Sequence, residues 1–147
     1  MDQRSYRPTL LIIFLLLPVL VAAVGPEEAR STALRFGRAL TRAQASDLEE
    51  ILPARGKIHL SLDRFGPEEG HFGGSQVIAL FEDFLDNNSV RSFELLRLDC
   101  DSETYAMVQG RVVMIGKDGR RARVGLQLAF QPEEGNWVIR EIRETAP

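Results

Sequence analysis

The sequence is poor in the residues that most often build disulfides, metal sites and reactive centres. Cys100 is the only cysteine, and His59 and His71 are the only histidines. One cysteine excludes a disulfide within the chain but leaves a bond between chains open. A zinc site would need both histidines and a carboxylate or Cys100, and histidines twelve residues apart lack the short spacing of ligand motifs. We expect ordinary surface or turn positions for both, and no metal site.

The motifs that hold phosphates or calcium are also missing. Neither GxxxxGK[ST] nor GxGxxG occurs, so the GGS segment at 73–75 is interpreted as a turn followed by a helix cap. The acidic run that begins at Asp99 alternates like a calcium loop. Its sixth and twelfth positions hold Thr104 and Gly110, where that loop needs glycine and glutamate. We therefore predict no cofactor and assign no catalytic, cofactor-binding or metal-ligating residue.

A surplus of basic residues is absent as well. The chain has 18 basic and 21 acidic residues and a net charge of −3, which gives it no electrostatic reason to bind nucleic acid. Five cationic residues nevertheless cluster around one predicted hairpin: Arg111, Lys117, Arg120, Arg121 and Arg123. We interpret them as a solvated sheet face that pairs with acids such as Glu133 and Glu134. An acidic protein partner is the alternative.

The one long apolar run lies at the start of the chain. Arg4 and Arg7 precede an apolar stretch from Thr9 to Val24, which ends in the small residues of VAA at 21–23. These are the three parts of a secretory signal peptide, with cleavage predicted after Ala23. Residues 1–23 would be the signal and 24–147 a single exported domain, periplasmic or secreted. The alternative is an uncleaved anchor in the cytoplasmic membrane, which would be the chain's only membrane contact.

Three helices are predicted in the exported domain. Pro26 and the two glutamates after it suit a helix start. An apolar stripe at helical spacing follows: Ala29, Ala33, Phe36, Gly37 and Leu40. Ser46 and Glu49 form a capping-box pattern that opens a short second helix, ended by Pro53. Ser75 caps the third helix, which ends at Asn87 and Asn88.

Alternation of apolar and polar residues predicts the strands. They cover residues 57–62, 90–98, 105–115, 121–130 and 137–142. The segment between 62 and 75 is predicted to be a loop, because it contains Gly66-Pro67 and Gly70. Helices grouped toward the start and a strand meander toward the end indicate an α+β fold, in which N-terminal helices pack on a curved, mainly antiparallel sheet.

Several stretches resemble the nuclear-transport-factor-2-like superfamily, a cystatin-like α+β cone, and most closely its small secreted bacterial domains of unknown function. The stretches are LEEILP (48–53), GKIHLSL (56–62), FGGSQV (72–77), VRSFEL (90–95), GRV (110–112) and WVIREI (137–142). Their order carries the resemblance, since each alone encodes packing or a turn. The resemblance implies a cone-shaped fold. It also implies a possible homodimer, because the sheets of this superfamily often pair in homodimers. It implies no single function, because members include ketosteroid-isomerase-like enzymes, cyclases, dehydratases and protein-binding modules.

An enzyme of the ketosteroid-isomerase type would need a carboxylate base and an acid pair in an apolar cavity. Tyr105 is the one tyrosine of the predicted domain, and Asp63, Asp99 and Asp101 are its nearest candidate partners. These aspartates fall in predicted loops, so the arrangement cannot be mapped onto this chain. Cys100 stands between two acidic residues that disfavour the reactive thiolate. We therefore consider enzymatic activity uncertain and less favoured.

The preferred hypothesis is an exported binding or accessory module without catalysis. It would bind an unknown protein or a small apolar ligand. The binding site would be the exposed sheet face or a cavity between helices and sheet, with Phe81, Phe84 and Trp137 as its apolar lining. The alternative is a small-molecule isomerase or lyase that acts in that cavity. A filled cavity would favour the sheet face, whereas an acid–base group in an open pocket would favour the enzyme.

Overall fold

The computed structural model describes residues 25–66 and 68–147. The predicted signal peptide and its cleavage site lie outside the described residues. No helix in the described part of the chain is long and apolar enough to span a membrane.

The described residues form three helices and six strands. The helices are α1 (Pro26–Thr41), a 3-10 helix (Ala45–Ile51) and α2 (Gly74–Asn87). The strands are β1 (Ile58–Ser61), β2 (Glu69–Phe72), β3 (Asn88–Asp99), β4 (Ala106–Gly116), β5 (Arg121–Glu133) and β6 (Asn136–Thr145). The predicted α+β class is confirmed.

The strands form one six-stranded sheet in the order β2-β1-β6-β5-β4-β3. All neighbours run antiparallel except β1 and β6, which are parallel. The last strand of the chain therefore lies inside the sheet, between β1 and β5. Strand β2 was not predicted, because Glu69–Phe72 contains no apolar alternation and the segment was assigned to a loop.

The predicted stripe of α1 packs against the sheet. Ala29, Ala33, Phe36, Gly37 and Leu40 are all buried in the structure. Gly37 lies against the ring of Phe93 in β3, where an added methyl group would overlap the ring. Small residues on the stripe thus allow helix and sheet to approach closely.

The starts of the other two helices differ from the prediction. The short helix is a 3-10 helix that begins at Ala45, so Ser46 is not its N-cap. Its buried residues, Ala45, Leu48 and Ile51, recur every three residues, which is the period of a 3-10 helix. The N-cap of α2 is Gly73 and the helix begins at Gly74, so Ser75 is not its N-cap; the Gly73 N–H donates to the Gln76 Oε1 at 2.9 Å. It ends at Asn87, as predicted.

Candidate binding surface

The space between helices and sheet is filled by side chains. Phe81, Phe84 and Trp137, the predicted cavity lining, are buried in the core. The Phe36 and Phe81 rings meet edge to face with centroids 5.8 Å apart, and those of Phe65 and Phe84 lie 4.4 Å apart. Among the described residues, Thr32 is the only buried polar one. Its hydroxyl donates to the Glu28 carbonyl at 2.9 Å. No acid–base side chain of the described residues is therefore enclosed in this core.

Of the residues considered for an isomerase, Tyr105, Asp99 and Asp101 lie outside the core around the β3–β4 connection, and Asp63 lies elsewhere on the sheet. Tyr105 is 45% exposed just before β4. Asp99 ends β3 and pairs with Arg97 at 2.8 Å, and Asp101 is exposed in the loop that follows. Asp63 follows β1, which is separated from β3 by three strands of the sheet. The fold does not bring this set to one site.

Cys100 is half-buried after β3, and its thiol donates to the Ser102 carbonyl at 3.6 Å. Burial raises the pKa of the Cys100 thiol, and the charges of Asp101 and Glu28 raise it further. A raised pKa keeps the thiol protonated and therefore weakly nucleophilic.

The two histidines, which sequence spacing placed apart, face each other. Because β2 pairs with β1, His59 lies directly opposite His71, and the ring centroids are 4.9 Å apart with a tilt of 36°. Glu141 lies opposite His59 on β6, with its Oε1 at 3.8 Å from the His59 Nδ1. Within the residues that the structure describes, no group of three or more His, Cys, Asp or Glu is arranged to hold a metal ion. The pairing of β1 with β2 brings His59 and His71 together, and their spacing in the sequence does not reveal it.

The outer face of the sheet carries part of the predicted cationic cluster. In the β4–β5 register Arg111 lies opposite Gly125, Arg121 opposite Ile115, and Arg123 opposite Val113. These positions alternate with core residues, so they belong to the face turned away from the helices. We call Arg111, Arg121 and Arg123 the hairpin arginines. Arg111 lies 3.8 Å from Glu94, whereas Arg121 and Arg123 enter no ion pair among the described residues.

The expected pairing of these arginines with Glu133 and Glu134 does not occur. The Glu133 carboxylate instead pairs with Arg140 at 3.0 Å and accepts the Ala54 N–H at 2.9 Å. Arg140 also donates to the Arg55 carbonyl at 2.9 Å. This network fastens the loop before β1 to the β5–β6 hairpin, which lies at the far end of β5 from the hairpin arginines. The prediction failed because cross-strand partners depend on register, which the sequence does not reveal.

Two surface grooves accompany these features. One, of about 500 Å³, runs along the start of α2 and is lined by Glu49, Leu52, Pro53, Ile78 and the GGS segment at 73–75. The other, of about 260 Å³, lies beside α1 between Arg35, Arg38, Arg42, Asp47 and Glu50, with Arg35 and Glu50 in an ion pair. Both grooves are open to solvent, and the larger one reaches the edge of the core at Leu52.

No protein-family model matches the chain, and no curated protein does. Solved structures match at low identity. A nuclear-transport-factor-2-like protein of unknown function from Shewanella oneidensis has a TM-score of 0.64 and 13% identity, over 82% of this chain and 98% of that one. A Caulobacter vibrioides protein with a cystatin-like fold has a TM-score of 0.63 and 17% identity, over 82% and 88%.

An epoxide hydrolase from M. tuberculosis also matches, with a TM-score of 0.59 and 15% identity over 81% of this chain and 82% of that one. Proteins of unknown function and an enzyme thus share one topology. The structural similarity therefore indicates the fold of this chain and does not indicate an activity. Together these comparisons confirm the predicted cone and show that the chain has the nuclear-transport-factor-2-like fold.

Proposed function

We propose that this protein is an exported, non-catalytic module that binds an acidic partner protein through the outer face of its sheet. The observation that carries the proposal is the pair Arg121 and Arg123, two guanidinium groups without an acidic partner among the described residues, on an open β-sheet. Export is supported by the sequence pattern of residues 1–23.

The filled interior favours a binding site on the surface of the protein over one in an internal cavity. A small apolar ligand needs a concave pocket that encloses most of its surface. Here the core positions are taken by Phe36, Phe65, Phe81, Phe84 and Trp137. An isomerase or lyase would in addition need a desolvated acid or base, and Thr32 is the only buried polar residue described.

The outer sheet face supports a protein partner of opposite charge. Val113, Ala129 and Val138 lie on this face, where they are buried but are not part of the core cluster. Val113 lies directly opposite Arg123 and two residues from Arg111 on β4, and Gln109 lies opposite Gln127 on the same face. Arginines around an apolar centre are typical of protein interfaces, because guanidinium groups form paired hydrogen bonds with carboxylates.

The test compares two matched charge reversals. The first variant carries Arg121→Glu and Arg123→Glu; the control carries Arg30→Glu and Arg38→Glu, which are exposed on α1. Each protein is cross-linked in an envelope fraction, and acidic partners are identified by mass spectrometry. We expect the first variant to lose about tenfold in recovery of a partner that the wild type and the control retain, equal to roughly 1.4 kcal/mol. High salt should weaken the same complex.

Three outcomes would contradict the proposal. Equal recovery by both variants would remove the role of the hairpin arginines. A partner without an acidic surface would remove the charge argument. A small molecule that copurifies with the protein and is turned over by it would favour the isomerase or lyase instead. N-terminal sequencing of the exported protein tests the leader separately, and Val24 is the expected first residue.

A further inference from the structure

The cross-strand histidines form a separate feature on the outer face of the sheet, at its β2 edge. His59 of β1 and His71 of β2 are paired residues in the register, so both side chains leave the same face of the sheet. Their ring centroids lie 4.9 Å apart. The His71 residue is exposed and His59 half-buried, which leaves ring nitrogens accessible to a solute.

This spacing suits one metal ion held by both rings. Imidazole–metal bonds of roughly 2 Å place two ligating nitrogens within about 4 Å of each other. Rings with centroids 4.9 Å apart reach that separation when the exposed His71 turns about its side-chain bonds. Histidine is the only ligand type here, and imidazole favours copper, nickel and zinc over calcium or magnesium.

Glu141 is placed to act as the hydrogen-bond acceptor that a metal-ligating histidine usually has at its second ring nitrogen. A carboxylate beside the second ring nitrogen fixes the tautomer and orients the ring toward the metal. The Glu141 Oε1 lies 3.8 Å from the His59 Nδ1. It is shielded from solvent and, although 2.7 Å from an Arg143 nitrogen, accepts no hydrogen bond with good geometry. The Glu141 Oε1 can therefore accept a hydrogen bond from the Nδ1–H of His59, which leaves the Nε2 of that ring free to bind a metal.

We infer that His59 and His71 chelate a divalent transition-metal ion, with copper(II) bound more tightly than nickel(II) or zinc(II). The order follows the general stability series of these ions with nitrogen ligands. Glu141 acts as a positioning residue and not as a ligand. The remaining coordination positions face solvent, which distinguishes the site from a closed structural zinc site with four protein ligands. The inference does not rest on the proposed partner-binding function.

The test uses the protein produced from the full chain, without a histidine tag and with Cys100→Ser to remove the one thiol. Copper(II), nickel(II) and zinc(II) are titrated separately by calorimetry. We expect one ion per chain, tightest for copper(II), and about tenfold weaker binding for either His59→Ala or His71→Ala. The double histidine variant measures binding to the rest of the chain. Circular dichroism checks that each variant folds.

Electron paramagnetic resonance of the copper(II) form separates ligands from the positioning residue. The parent protein should show two nitrogen ligands, and each single histidine variant should show one. Glu141→Gln should weaken binding and shift the copper parameters, yet keep both nitrogens. Binding equal to that of the double variant would overturn the inference. So would a single nitrogen in the parent protein, or one ion shared by two chains.

Discussion

At the scale of single residues, two glycines make room for one aromatic ring. The Phe93 ring of β3 lies between Gly37 of α1 and Gly110 of β4, and it meets Phe36 edge to face with centroids 6.0 Å apart. A methyl group at Gly110 would lie 2.7 Å from a ring carbon of Phe93. Since the ring is enclosed on both sides, it cannot turn away without opening the helix–sheet contact.

We expect Gly110→Ala to destabilise the protein by about 1–3 kcal/mol, because an added methyl group overpacks this contact. Urea unfolding measures the loss. Gly74→Ala is the matched control, since its methyl group would be at an ordinary 3.6 Å from the Pro53 carbonyl oxygen. The control should be neutral or slightly stabilising. Equal effects of the two substitutions would show that the Phe93 contact tolerates the extra volume.

At the scale of elements, one carboxylate holds the loop between β1 and β2. The Oε2 of Glu144 accepts the backbone N–H groups of Asp63 and Arg64 at 2.9 Å, and its Oε1 accepts that of Phe65 at 2.7 Å. Glu144 lies on β6, and the three residues just before it, 141–143, pair with β1. The last strand therefore fixes both β1 and the turn that returns the chain to β2.

Glu144→Gln should lower the free energy of unfolding by about 1–3 kcal/mol, because one amide oxygen cannot replace two charged acceptors. The midpoint of urea unfolding checks this. Glu134→Gln, on the exposed turn between β5 and β6, is the control and should change little. A midpoint for Glu144→Gln as high as that of the control would mean that water satisfies the loop equally well.

Secondary structure was predictable where side chains alternate or recur with a fixed period. The α1 stripe and the strands from β3 to β6 were found this way. The helix at Ala45–Ile51 was recognised, but its type was not, because a capping-box pattern at Ser46 matched by chance. Strand β2 was missed, since Glu69–Phe72 is held by backbone bonds to β1 and carries no apolar pattern of its own.

At the scale of the whole molecule, the start of the described fold is tied to its end. The indole N–H of Trp137 donates to the Gly25 carbonyl at 2.9 Å, a bond between residues 112 positions apart. The Gly25 N–H donates to the Glu28 carboxylate at 3.0 Å. The first turn of α1 is thus held by β6 as well as by its own capping interaction.

Trp137→Phe removes this long-range bond and should cost about 1–3 kcal/mol, because the half-buried Gly25 carbonyl keeps only the Ala29 N–H as donor and the smaller ring leaves space in the core. Hydrogen exchange should become several-fold faster in the first turn of α1. Glu28→Gln, which weakens only the local capping bond, is the control and should affect that turn less. Unchanged exchange in Trp137→Phe would show that the capping bond alone suffices.

The candidate sites depend on register more than on composition, which limits what the sequence could reveal. His59 and His71 were judged unrelated because the pairing of β1 with an unpredicted β2 brings them together. The sequence also predicted the cluster of hairpin arginines, but the predicted pairing with Glu133 and Glu134 was wrong, because it too depends on strand register. The filled interior was also beyond sequence reasoning, since packing of Phe36, Phe65 and Phe81 requires the three-dimensional arrangement.

The interior position of β6 has a consequence for the order in which the molecule can assemble. Among the described strands, β1 has two neighbours: β2, which follows it in sequence, and β6, which is about 75 residues further along the chain. Without β6, the β1–β2 side of the sheet is at best an isolated hairpin, which is marginally stable in water. Strands β1 and β2 should therefore join the sheet only once β6 is in place, and truncation within β6 should abolish folding and not merely weaken it.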